Sequence, residues 1–150
     1  MDLHIDSLKS MDKFAEILAR LVQQKDVICL NGDLGTGKTT FTKFFAAHLG
    51  IKEIVNSPTF NIIKCYFNKP LSLYHIDAYR LEDNNFDIGL DEYIDGDGVC
   101  VIEWGNFIKE YLPETALVVD ITRIDENKRD IHLSGNERLI EGVKKQWNIH

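Results

Sequence analysis

No stretch of this sequence approaches the run of about 18 apolar residues that a helix needs to cross a bilayer, so a membrane protein is not expected. Cysteine is scarce and odd in number: Cys29, Cys65 and Cys100, with no C-x-x-C pair. That excludes a disulfide framework and a cysteine-based zinc site. All three lie in apolar, strand-like runs, which predicts buried thiols in a reducing compartment. Proline occurs only three times, and there is no repeat, low-complexity tract or linker. Positive charge is also short: 17 Lys and Arg against 24 Asp and Glu give a formal charge of −7. A protein that grips nucleic acid across its surface is not expected from that balance, although a local basic patch remains open. The acidic start, Met1 to Asp6, is unlike a secretory signal, and a cytoplasmic chain is the expectation.

What is present is the composition of a soluble globular protein, 44% hydrophobic and 27% charged over 150 residues, which fits one domain spanning 1–150. The chain is organised around residues 27–49. Gly32 to Thr39 match G-x-x-x-x-G-K-[ST], the phosphate-binding loop. Gly35 and Gly37 let backbone N–H groups turn inward with no side chain in the way. Lys38 brings a cation to the outer phosphates, and the Thr39 hydroxyl can ligate Mg²⁺. The loop Asp33-Leu34-Gly35-Thr36-Gly37-Lys38-Thr39-Thr40 is therefore the expected nucleotide cradle. Its required flanks are present. Val27 to Leu30 is a short apolar run that predicts a buried strand. Phe41, Phe44, Phe45, His48 and Leu49 recur at helical spacing, with Gly50 in a C-cap position.

Around that unit, Leu3 to Ile5 reads as a short edge strand. Ser7 or Ser10 can cap a helix whose apolar face is Met11, Phe14, Ile17, Leu18, Leu21 and Val22. Phe60–Phe67 and Leu71–Ile76 read as strands joined by the turn Asn68-Lys69-Pro70. Asp77–Tyr93 reads as one or two short helices, and Asp95-Gly96-Asp97-Gly98 as a turn. Val99–Ile102 is a second buried strand, followed by a short helical piece from Phe107 to Leu112. Leu117–Ile124 and Asp130–Leu133 read as another hairpin. Asn136 can cap a last helix with Leu139, Ile140, Val143 and Trp147 on one face. The fold class is α/β, with a mixed parallel and antiparallel central sheet and helices on its faces.

A phosphate loop needs acids to hold Mg²⁺ and to orient the attacking group. Two predicted strands end in carboxylates, Asp77 and Glu103, and strand carboxyl ends are where ligands sit in such sheets. Thr59 lies in a proline-stiffened turn and is either a switch hydroxyl or an ordinary turn residue. His75 is either a proton carrier or a satisfied core histidine. Arg80 could meet a phosphate or a partner, or form a surface ion pair. The base contact is placed at the start of the first helix (Ser10, Met11) and at Arg129. Two patterns resemble guanine-nucleotide motifs: Asn127-Lys128-Arg129-Asp130 (N-K-x-D) and Asp95 to Gly98 (D-x-x-G). The first lies in a hairpin turn and the second precedes its strand, so ATP is preferred to GTP.

Together these segments resemble the TsaE (YjeE) ATPases of bacterial tRNA threonylcarbamoyladenosine synthesis. The resemblance is carried by Asn31 to Thr40, Ser57-Pro58-Thr59-Phe60, His75-Ile76-Asp77-Ala78-Tyr79-Arg80 and Ile102-Glu103-Trp104, and it covers nearly the whole chain. Thr36 stands where that family usually has alanine. The resemblance implies a P-loop fold and ATP as the nucleotide. It implies that Thr39 and Glu103 hold Mg²⁺, that Asp77 serves hydrolysis and that Trp104 lies close to the nucleotide. It also implies turnover within a complex with TsaB and TsaD, with tRNA met mainly through that complex. A small P-loop kinase and an ATP-binding module without turnover are the alternatives.

Overall fold

The computed structural model describes residues 1–33, 35–55, 63–78, 90–94, 96–103 and 112–147, with only the backbone at 90 and 91. Leu34, Thr59, Arg80 and Trp104 therefore lie outside the described residues. So do the start of the strand expected from Phe60, most of the segment read as short helices after Asp77, and the helical piece expected from Phe107 up to Leu112. The elements in order are β1 (Asp2–Ile5), α1 (Leu8–Leu21), β2 (Val27–Asn31), α2 (Lys38–His48), β3 (Ile63–Tyr66), β4 (Leu73–Asp77), α3 (Leu90–Ile94), β5 (Val99–Glu103), β6 (Leu117–Arg123), β7 (Arg129–Gly135) and α4 (Glu137–Trp147).

The strands form one seven-stranded sheet in the order β1-β7-β6-β2-β5-β4-β3. Its centre is parallel: β2 pairs in parallel with β5 and β6, and β5 with β4. Both expected hairpins are present as antiparallel pairs, β3 with β4 and β6 with β7, and β1 adds antiparallel to β7 at the edge. All five residues of β2 and of β5 are buried, as continuous apolar runs in the middle of a covered parallel sheet must be.

One face of the sheet carries Leu3, Ile28, Leu30, Leu73, Val99, Val101, Leu117 and Val119, packed with α1, α2 and α4. The opposite face carries Val27, Tyr74, Ile76, Cys100 and Ile102, with Ile94 of α3. In the first layer the rings of Phe14 and Phe41 lie 5.5 Å apart, those of Phe41 and Phe45 5.6 Å, and Trp147 meets Phe14 edge-on at 6.5 Å. Burying each such ring contributes roughly 1.5–3 kcal/mol. Capping follows the sequence. Ser7 accepts the Ser10 N–H at the start of α1, and Asn136 Oδ1 accepts the Leu139 N–H at the start of α4. Gly50, at φ 94°, follows the last turn of α2. His48 departs from the expected apolar face: it is exposed, with Nε2 2.7 Å from Asp12 Oδ1, because its ring projects toward α1's acidic side. Cys65 is half-buried on edge strand β3, unlike buried Cys29 and Cys100. Among the described residues no helix is long and apolar enough to cross a membrane.

This topology sets up the site. β1 runs antiparallel to β7, and β7 antiparallel to β6, so β1 points the same way as the parallel strands. Ile5, Asn31, Asp77, Glu103 and Arg123 thus end at one edge of the sheet, together with the turn that leads into β7.

Beneath the opposite face, the Tyr74 hydroxyl donates to Asp97 Oδ1 at 2.6 Å, and this bond, with burial and the carboxylate's charge, pushes the phenol up to about 12. A folded pKa above the unfolded value of about 10 gives stability that is complete below pH 10 and lost as pH rises toward 12. Wild type is expected to lose on the order of 2 kcal/mol through this window. Tyr74→Phe is expected to lack that component, which urea unfolding from pH 8 to 12 measures.

Candidate functional site

The loop between β2 and α2 is shaped by its glycines. Gly37, at φ 106°, is the N-cap of α2 in the left-handed region, where a side chain is strained. A Cβ on Gly32 would fall 2.7 Å from Thr36 Oγ1 and 2.8 Å from the Ile121 carbonyl oxygen, so no other residue fits there. The Thr36 hydroxyl donates to the Asp33 carbonyl at 2.9 Å and closes the turn. With no acidic residue in its first turn, α2 presents its N-terminal N–H groups and positive dipole end at this place.

Lys38 opens α2 and is buried, 6% exposed. Its ammonium donates to the carbonyls of Gly32 and of Asp33, the latter at 3.2 Å. Burial holds its pKa below the ordinary 10.5, against the opposing pull of the Glu103, Asp33 and Asp77 charges. A buried cation ringed by carboxylates at the mouth of a glycine loop is a place where anionic oxygens are stabilised.

Asp77 and Glu103 end adjacent parallel strands and stand directly opposite each other in the register. Glu103 is 4% exposed, and its Oε2 lies 2.5 Å from Nε2 of fully buried His75. Arg129, at the start of β7, donates from Nε to the Thr36 carbonyl at 2.9 Å and from Nη2 to the Gly35 carbonyl at 3.3 Å. Its Nη1 also binds the Asp125 carbonyl at 2.6 Å, so it ties the β6–β7 turn to the phosphate loop.

A cavity of about 950 Å³ opens here. Asp33, Gly35, Thr36, Gly37, Lys38, Thr39 and Thr40 line it, with Asp77, Glu103, Met11 and Arg129. The structure thus brings most of the nominated residues to one wall. Ser10 is not among the residues that line the cavity. Its hydroxyl is turned to Asp6 Oδ1 at 2.5 Å, while Ser7 and Leu8 line the cavity. His75 does not line it either, and stands behind Glu103. Four lining residues went unseen in the sequence besides Ser7: Ile5, Leu8, Glu126 and Asn127. The N-K-x-D turn is a hairpin turn as expected, yet it lies at the cavity. Placing β6 beside β2 puts it there.

The donor set fits a nucleotide phosphate tail with a hard cation. Among the described residues no cluster of three or more His, Cys, Asp or Glu side chains is suited to a metal. A cation here would need phosphate oxygens besides Thr39 and Glu103, as Mg²⁺ at nucleotides does.

A mixed sheet with a parallel centre and a strand–glycine loop–helix at its carboxyl edge is a P-loop NTPase-like fold. The family model described as "Threonylcarbamoyl adenosine biosynthesis protein TsaE" matches residues 5–131. A Bacillus subtilis (strain 168) protein named tRNA threonylcarbamoyladenosine biosynthesis protein TsaE is 50% identical over 139 residues, covering 90% of this chain and 88% of that protein. A Treponema pallidum protein of the same name is 39% identical over 127 residues, covering 83% and 93%. The crystal structure of Bacillus subtilis YdiB superposes with a TM-score of 0.83 at 37% identity, covering 99% of this chain and 95% of that one. The chain belongs to the TsaE family of tRNA threonylcarbamoyladenosine biosynthesis proteins.

Proposed function

We propose that this chain binds ATP with Mg²⁺, hydrolyses it, and does so as the energy-coupling subunit of a complex with TsaB and TsaD that modifies tRNA. The observation that carries the reading is buried Lys38 at a glycine loop, faced by Asp77 and Glu103 on neighbouring strand ends. Loop N–H groups and Lys38 hold the phosphates, and Lys38 exchanges its two carbonyl partners for phosphate oxygens. Thr39 and Glu103 hold the cation. Mg²⁺, when bound, supplies charge neutralisation on the β- and γ-phosphates. Asp77 orients the attacking water; Trp104, which the family resemblance assigns to the nucleotide, and Thr59 and Arg80, assigned as switch or partner-linked residues, lie outside the described residues. Met11 and Arg129 bound the nucleoside end of the cavity.

Arg129 is occupied by carbonyls of its own turn and of the loop. It is therefore a clamp and not a mobile arginine finger, a device worth on the order of 10³–10⁵ in rate. Turnover by the isolated chain is accordingly expected to be slow and to rise on addition of TsaB and TsaD. Multiple-turnover phosphate release, with and without these partners, tests this. Fast release by the chain alone, or none in the full mixture, would contradict it. The charge of −7 fits a subunit that meets tRNA through its partners.

A further inference from the structure

On β4, Leu73, His75 and Asp77 share the face that packs against α1 and α2. Across on β5 their register partners are Val99, Val101 and Glu103. Leu73, Val99 and Val101 belong to the apolar core, and His75 is a 0% exposed imidazole set among them. An aliphatic residue would fill this place without burying polar atoms. The imidazole instead leaves its Nδ1 buried with no hydrogen-bond partner among the described residues, a cost that packing does not repay. Its Nε2 reaches diagonally to Glu103 Oε2 at 2.5 Å. A carboxylate only accepts, so the ring hydrogen of this bond sits on Nε2. That leaves Nδ1 as a bare acceptor, which is less costly to bury unpaired than an N–H.

We propose that His75 is a positioning residue: its Nε2–H fixes one oxygen of Glu103 so that the carboxylate presents its other oxygen to the divalent cation at the phosphate loop. The inference rests on the reading of Glu103 as a cation ligand. Asp77, directly opposite Glu103, cannot do this, because two carboxylates repel and neither donates. Glu103 ends its strand, and on the β4 side its side chain is held by the bond to His75. Groups that orient metal ligands in this way typically change metal affinity by about 10–100-fold.

The test is ATP affinity by titration calorimetry, in EDTA and in saturating MgCl₂, on the full chain. The gain on adding Mg²⁺ is expected to shrink about 10-fold or more in His75→Leu, while affinity in EDTA stays within about twofold. His75→Gln, whose amide can donate from a similar place, is expected to recover much of the gain. In a Glu103→Gln background, His75→Leu is expected to cost nothing further. An unchanged Mg²⁺ gain in His75→Leu, an equal loss in EDTA, or full additivity with Glu103→Gln would overturn the proposal. Absence of any Mg²⁺ gain in wild type would overturn the Glu103 reading together with it. Should His75→Leu not fold, ¹⁵N NMR of the wild-type ring decides: an Nε2–H tautomer supports the proposal and an Nδ1–H tautomer overturns it.

Discussion

Lys38→Ala is expected to weaken ATP binding by about 10–100-fold and to bring phosphate release to background. The loss follows from charge-assisted hydrogen bonds worth about 1.5–3 kcal/mol, at about 1.4 kcal/mol per tenfold. Lys38 is the cation buried at the loop, and Arg129 cannot substitute, since its guanidinium is committed to the Thr36, Gly35 and Asp125 carbonyls. The fold should survive. Lys38 is desolvated in the folded chain, and its removal frees the carbonyls of Gly32 and of Asp33, the latter at an open cavity which water reaches. Calorimetric titration of ATP, with circular dichroism as the control, measures both. Unchanged affinity and turnover would contradict the phosphate-loop reading.

Glu103→Gln is expected to leave ATP affinity in EDTA within about twofold of wild type and to remove most of the Mg²⁺-dependent gain. Loss of a ligand should exceed the 10–100-fold typical of its supporting groups. Glutamine is chosen because its carbonyl can still accept from His75 Nε2, so the buried imidazole keeps a partner and the variant removes charge alone. Alanine would orphan a second ring nitrogen in the core and confound metal loss with instability. Phosphate release should fall at least in proportion. An identical dependence on Mg²⁺ concentration in wild type and variant would take Glu103 out of the site.

The legible parts of the sequence were those where one local cause acts. Val27–Leu30 and Val99–Ile102 are unbroken apolar runs, and both are central parallel strands. The glycines and Lys38 carry a pattern whose geometry is set by the backbone itself. Hairpins showed through their turn residues, and caps through Ser7 and Asn136. What stayed hidden depends on strand order, which no local pattern encodes. The N-K-x-D turn was set aside as a guanine motif because it lies in a hairpin turn, although Arg129 within it was placed at the base contact. The strand before it, β6, pairs in parallel with β2 on the side away from β5, and this carries Glu126, Asn127 and Arg129 to the loop. Ile5, Ser7 and Leu8 arrive for a similar reason, since β1 lies antiparallel to β7 and so runs the same way as β6 and β2. His75 looked like a core residue and is one by burial. Its bond to Glu103 follows from the register of β4 on β5, which a single segment cannot show. Ser10 is held by Asp6, and its neighbour Ser7 lines the cavity.

The central claim is that nucleotide turnover at this cavity drives tRNA modification by the complex. It is tested most directly by following threonylcarbamoyladenosine formation on tRNA over many turnovers with TsaB and TsaD. The mixtures to compare contain wild type, Lys38→Ala, or no added chain. The account expects sustained product only with wild type, with phosphate released alongside, and no more product with Lys38→Ala than with no chain. Equal product in all three mixtures, or full product with Lys38→Ala, would contradict it.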